Sequence, residues 1–91
     1  MDFGRHEFDR IELDMKETGF NLRETREKLR IRIEEVAHYL GTSEQSIYNW
    51  EIGKSNISLM HLICICALYK TSIEEIIRVK TVRAVYCDYE Y

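Results

Sequence analysis

The chain has 91 residues, 45% of them apolar and 32% charged, which reads as one small soluble domain rather than a multidomain enzyme. Three cysteines are an odd number and no signal-type apolar stretch precedes them, which counts against a disulfide scaffold, and a cytoplasmic protein is expected. The net charge of −3 counts against nucleic acid, but it is uneven: residues 1–17 carry −3, residues 84–91 carry −2, and residues 18–83 carry +2.

In chain order, an acidic amino-terminal arm over residues 1–17 comes first. Within it Ile11, Leu13 and Met15 alternate with acids, as either a short strand or an arm that orders only against a partner. Proline is absent, so Gly19, Gly41 and Gly53 supply the expected breakpoints. A first helix is expected over 22–30, with Leu22, Arg26 and Leu29 along one face. Ile33, Val36, Ala37 and Leu40 follow the spacing of an amphipathic second helix, which Gly41 stops. Thr42-Ser43 caps a short third helix with Ile47 and Trp50 inward, and Gly53 ends it.

Ser58 caps a fourth helix over 59–69, apolar nearly all round and so expected to be the most buried element. Its apolar run is interrupted at Ser58 and His61 and falls short of the roughly 20 residues a membrane span needs. Ser72-Ile73-Glu74-Glu75 is a capping box opening a fifth helix, with Ile73, Ile76 and Ile77 inward. Beyond it Val82, Ala84 and Tyr86 alternate in a tail that ends with three tyrosines among its last six residues. The expected division is an arm over 1–17, a helical domain over 18–80 and a tail over 81–91.

The informative segment is Ile33 to Trp50. Small Ala37 lets two helices approach closely, Gly41 makes the sharp turn, and Ile47 and Trp50 seat the second helix so that its polar face projects outward. That is the physical content of a helix-turn-helix, whose second helix enters a major groove. With Leu22-Arg23-Glu24, Arg26, Glu34-Glu35-Val36-Ala37, Ile47 through Lys54, Ser58-Leu59 and Thr71 through Ile77, the chain resembles the lambda-repressor-like (Xre/Cro-type) helix-turn-helix regulators, without a gap. The resemblance implies an all-α, compact five-helix lambda-repressor-like DNA-binding domain with short extended or β-like terminal arms. It also implies a bacterial or phage-type transcriptional regulator, a repressor by expectation, that binds double-stranded DNA as a homodimer.

By the same resemblance the recognition helix spans about 44–51. Ser43 caps it, and Glu44, Gln45, Tyr48 and Asn49 are the expected base contacts. Gln and Asn can contact adenine in bidentate fashion and Glu can accept from cytosine, although an outward polar face on any helix can also simply be solvated. Expected phosphate contacts are Ser43, Ser46, Lys54, Ser55 and Asn56, with Arg23 and Arg32 at the flanks. Arg26 and Glu51 are expected to pair beneath the recognition helix as a structural salt bridge. The departures are Arg32 where a capping Ser or Thr is usual, Ile33 where a phosphate-touching Gln is common, Ile57 in place of proline, and Thr25 at a normally apolar position.

Other chemistries fare worse. Cys64-x-Cys66 on a helix points its side chains about 200° apart, so small buried hydrophobes are expected rather than metal ligands. His6, His38 and His61 share no ligand spacing, and no carboxylate pair, nucleophile elbow or phosphate-cradling glycine loop suggests an enzyme or a cofactor. A second class of function is a protein-interaction module, such as an antitoxin or mobile-element adaptor, engaging a partner through the tyrosine-rich tail.

Overall fold

A computed structural model describes the backbone of residues 6–86 and the side chains of residues 9–83. Strand β1 (His6–Leu13) leads into helices α1 (Met15–Lys28), α2 (Ile33–Leu40), α3 (Glu44–Glu51), α4 (Leu59–Tyr69) and α5 (Ile73–Ile76), and strand β2 (Val79–Tyr86) follows. The two arms are strands, and they pair with each other. β1 runs antiparallel to β2 in a two-stranded ribbon, from Leu13 opposite Val79 to His6 opposite Tyr86. Cys87 and the last tyrosines lie outside the described residues.

The expected boundaries move at both ends. α1 begins at Met15, seven residues ahead of Leu22, because Asp14 caps it by accepting from the Glu17 amide at 3.0 Å. The divisions at 17/18 and 80/81 therefore fall inside α1 and inside β2. Gly19 is not a breakpoint but lies mid-helix, where a Cβ would stand 2.3 Å from the Trp50 carbonyl oxygen and 2.6 Å from that of Glu51. Only glycine lets α1 press this closely on the end of α3. Thr18 is buried beside it, accepts from the Arg78 amide at 2.9 Å, and fastens the end of α5 to α1. Asp14 donates its amide to the Arg78 carbonyl at 2.8 Å, so the ribbon's two strands leave the helices side by side.

The core is built from one face of each helix: Leu22 of α1, Val36 and Ala37 of α2, Ile47 and Trp50 of α3, Leu62, Ile65, Cys66 and Tyr69 of α4, and Ile76 of α5. Full burial of each large apolar side chain contributes on the order of 1.5–3 kcal/mol. α4 is less covered than its composition suggests. Leu62, Ile65, Cys66 and Tyr69 face inward, while Leu59 and Met60 are each 68% exposed and Ile63 is 48% exposed. The other four helices cover only one side of it. Cys66 is buried, which pushes its thiol upward, and Cys64 is half-buried. The ribbon projects from this body: the molecule measures 57 × 24 × 19 Å, with a radius of gyration of 17.2 Å where a compact chain of this length gives about 12 Å.

Candidate nucleic-acid interface

The turn between α2 and α3 is set by Gly41, which takes the left-handed conformation (φ +67°) with nothing within 4 Å of its would-be Cβ. Its requirement is conformational, not steric. Thr42 closes the turn by donating to the Ala37 carbonyl at 3.0 Å. Ser43 then caps α3, its Oγ accepting from the Ser46 amide at 3.1 Å and lying 2.9 Å from the Ser46 Oγ. Ser43 and Ser46 are thus bonded to each other at the start of α3.

Burial of Ile47 and Trp50 on one side of α3 leaves Glu44, Gln45 and Tyr48 exposed and Asn49 half-buried on the other. At i, i+1, i+4 and i+5 these four form one continuous patch. Gln45 Nε2 donates to Asn49 Oδ1 at 3.0 Å, which leaves the Gln45 carbonyl oxygen and the Asn49 amide group as an acceptor and a donor with no other partner among the described residues. That is the complement an adenine edge presents.

The loop after α3 folds back on its helix. The amides of Lys54 and Ser55 both donate to the Asn49 carbonyl, at 2.8 and 3.4 Å, so they are committed, and the loop offers the exposed side chains of Lys54, Ser55 and Asn56. Arg23, on α1, borders a small cavity of about 110 Å³ together with Ile33 and Tyr48, which places it on the rim of the α3 patch. It pairs with Glu27 at 3.2 Å. Arg32 stands apart at the start of α2, within 3.1 Å of Glu34 and 3.5 Å of Glu35. Both arginines are exposed, and a phosphate would exchange with a carboxylate for each.

Beneath the patch Arg26 and Glu51 form a bidentate pair, Nε to Oε2 at 2.7 Å and Nη2 to Oε1 at 3.1 Å, with side chains 11% and 3% exposed. Arg26 Nη1 also donates to the Ile31 carbonyl at 2.9 Å, so one guanidinium ties α1, the α1–α2 turn and the end of α3 together. The hydrogen bonds to Glu51 hold the guanidinium above its ordinary pKa against the opposing effect of burial. The buried Tyr69 hydroxyl, without a hydrogen-bond partner among the described residues, is pushed well above the usual phenol range, first by burial and then by the Glu51 charge.

At Arg32 no serine or threonine caps α2, yet the helix start is not bare. The Glu35 carboxylate accepts from the Arg32 amide at 2.8 Å, and that bond holds it below the ordinary carboxylate value. Sequence reading missed three supports of the site: Asp14 as a cap, Gly19 as the close approach, and Thr18 as the clamp on Arg78. The spacing Asp14–Glu17 was a legible capping signal, and the small pair Thr18-Gly19 within a charged stretch hinted at close packing.

A family model described as helix-turn-helix matches residues 22–76, well over half of the chain. The chain belongs to the Xre/lambda-repressor-like helix-turn-helix family of DNA-binding transcription regulators. Its helical part is similar to the restriction-modification controller protein C.AhdI from Aeromonas hydrophila, at 24% identity and a TM-score of 0.65 over 69% of this chain and 96% of that one. It is similar also to the DNA-binding domain of BldD, at 17% identity and a TM-score of 0.61 over 70% of this chain and 93% of that domain. The hydroxypropylphosphonic acid epoxidase from S. wedmorenis shares the fold at 27% identity and a TM-score of 0.60, but over only 35% of its length. No curated protein sequence matches the chain. The family match stops at residue 76, so the ribbon strand β2 is outside it, as is all of β1. Among the described residues no cluster of three or more His, Cys, Asp or Glu is arranged to hold a metal, and no helix is long and apolar enough to cross a membrane.

Proposed function

We propose that this helix-turn-helix protein is a sequence-specific double-stranded DNA-binding regulator, acting as a repressor, that inserts α3 into the major groove. The observation that carries this reading is the continuous patch of Glu44, Gln45, Tyr48 and Asn49 on an α3 whose opposite face is locked by Ile47, Trp50 and the Arg26–Glu51 pair. Gln45 and Asn49 read adenine, Tyr48 lies against sugar or a thymine methyl, and Glu44 accepts from cytosine. Lys54, Ser55 and Asn56 hold the phosphate backbone, with Ser43 and Ser46 at the helix start and Arg23 and Arg32 at the flanks. A homodimer spans half-sites about one helical turn apart. The acidic β1 does not obstruct this face, because it pairs with β2 and projects from the body, although its base lies beside Gly53 and Asn56.

The test is selection from a random duplex pool at low salt, followed by Gln45→Ala and Asn49→Ala. Each substitution is expected to weaken binding to the selected site by about 1–3 kcal/mol while leaving the melting temperature within a degree or two. A purified chain that enriches no sequence would sink the reading. A second reading, a protein-interaction module, draws on the exposed apolar side chains of the ribbon, Ile11 at 62% and Val79 at 59%. It fails if deleting residues 79–91 changes neither the oligomeric state nor the recovery of a partner.

A further inference from the structure

The ribbon lies outside the family match and outside the proposed contacts with DNA. Its base is nevertheless built into the loop that follows α3. Leu13 and Met15, both half-buried, close over Trp50, Ser55, Asn56 and Ile57, and the void left in that seam is about 10 Å³. That is about the least a single water needs, so strand and loop meet as packed surfaces. Next to the seam the loop backbone rests on the first turn of α1. A Cβ on Gly53 would stand 2.9 Å from the Lys16 Cα, and the residue is left-handed (φ +77°). The loop thus has two supports. On one side the Lys54 and Ser55 amides bond to the Asn49 carbonyl, and on the other lie Leu13, Met15 and Lys16. The side chains of Lys54, Ser55 and Asn56 are exposed, so their places depend on what holds the backbone beneath them.

We propose that Leu13 and Met15 are positioning residues for the phosphate-contacting loop, so that closure of the ribbon's base and the grip on the DNA backbone form one coupled unit. The inference rests on the DNA-binding reading above and adds to it a part that lies outside the helix-turn-helix. Leu13 is itself fixed by the last strand. It stands opposite Val79, the neighbouring Asp14 amide donates to the Arg78 carbonyl at 2.8 Å, and the Arg78 amide donates to Thr18 Oγ1 at 2.9 Å. Opening the ribbon's base releases Leu13, and a loop without Leu13 keeps its bonds to Asn49 but loses its packed support. The base-reading patch is insulated from that event, because Ile47 and the Arg26–Glu51 pair hold α3 independently of the loop. Ribbon closure therefore acts on affinity through the phosphates and leaves the choice of bases alone. Coupling of this kind is reciprocal: DNA that orders the loop also favours the closed base.

The experiment measures binding of the full chain to a duplex selected from a random pool, at several salt concentrations and well below each melting temperature, with folding checked by circular dichroism. Leu13→Ala and Met15→Ala are each expected to weaken binding about threefold to tenfold at low salt, since a loop in place for part of the time lowers affinity by that fraction. The salt slope should become shallower by up to about 1, the share of Lys54. Rejection of a duplex altered at the bases read by Gln45 and Asn49 should be as strong as in the wild type. Ile11→Thr, farther out on the same face of β1 and 62% exposed, should change none of these. The decisive readout is a double-mutant cycle: Lys54→Ala should cost markedly less in the Leu13→Ala background than in the wild type. If Leu13→Ala does not fold, Met15→Ala carries the same cycle. Without DNA, amide exchange at Lys54 and Ser55 should be several-fold faster in the variant, with that at Ile52 unchanged. A merely structural Leu13 would lower the melting temperature and leave the salt slope and the effect of Lys54→Ala as they are, and that result overturns the proposal. So does unaltered exchange in the loop. A wild type that selects no duplex overturns the DNA-binding reading itself, and this inference falls with it.

Discussion

Replacing Glu51 by leucine strands the Arg26 guanidinium. Two charge-assisted hydrogen bonds, at 2.7 and 3.1 Å, disappear, and the cation keeps only its bond to the Ile31 carbonyl with its side chain 11% exposed. At about 1.5–3 kcal/mol for each lost charged bond the expected cost is about 3–5 kcal/mol, the range for breaking a buried pair. In a domain of this size about 3 kcal/mol lowers the melting temperature by roughly 12–24 °C. Arg26→Leu strands the 3%-exposed carboxylate instead and should cost a similar amount at neutral pH. The two variants differ in how they respond to acid. A buried lone carboxyl has its folded-state pKa raised, so the Arg26→Leu protein is most stable below the unfolded value and loses stability as pH rises through the folded one. Its deficit should therefore shrink between pH 7 and pH 5, whereas that of Glu51→Leu should not, because arginine stays charged. The double variant should cost less than either single one. Thermal denaturation at the two pH values tests this, and a double variant as unstable as the sum of the singles would refute the reasoning.

Other outcomes follow from the same geometry. Gly19→Ala drives a Cβ into the backbone carbonyls of Trp50 and Glu51 and should cost at least about 2 kcal/mol. Gly41→Ala meets nothing and should cost about 1 kcal/mol, from its left-handed φ alone. Chemical denaturation of the pair checks that order. The Glu75 carboxylate is held below the ordinary 4.5 by hydrogen bonds from the backbone and hydroxyl of Ser72 and from the Thr71 hydroxyl. Its contribution is present above the unfolded value and lost as pH falls through the lower folded one. Glu75→Gln should thus lower the melting temperature at pH 7, by an amount that shrinks as the pH falls below the ordinary carboxylate value. Lys54→Ala should weaken DNA binding evenly across sequences and reduce the salt slope by about 1, read from binding isotherms at several salt concentrations.

The helical core was legible because its signals are local. Val36, Ala37, Ile47 and Trp50 repeat at helical spacing, and Ser43, Ser58 and Ser72 each cap the helix that follows them. Gly41 stops α2 in the left-handed conformation that a glycine in that place announces. What was not legible depends on partners distant in sequence. Gly19 reads as a break until the end of α3 is set against it, and alternation in residues 9–13 does not reveal that its partner strand starts at Val79. Burial around α4 also escaped local reading, since an all-apolar helix does not say which side its neighbours leave open. At the candidate interface the outward positions of α3 were readable. The hydrogen bond between Gln45 and Asn49, and the folding of the Lys54 and Ser55 amides onto Asn49, were not.

The pairing of β1 with β2 joins the opening and closing segments of the fold, which sets an order on its assembly. Every helix can form and pack before Val79 has left the ribosome, whereas β1 must wait for the last element to emerge. The wait carries little entropic penalty at the end, because packing the helices brings Asp14 and Arg78 within 2.8 Å and closes the long loop in advance. The ribbon then zips outward from Leu13 and Val79 at hairpin speed. Slow contacts of high sequence separation are thereby converted into local ones, and amide exchange should be slowest at the ribbon's base and quicken toward His6 and Tyr86.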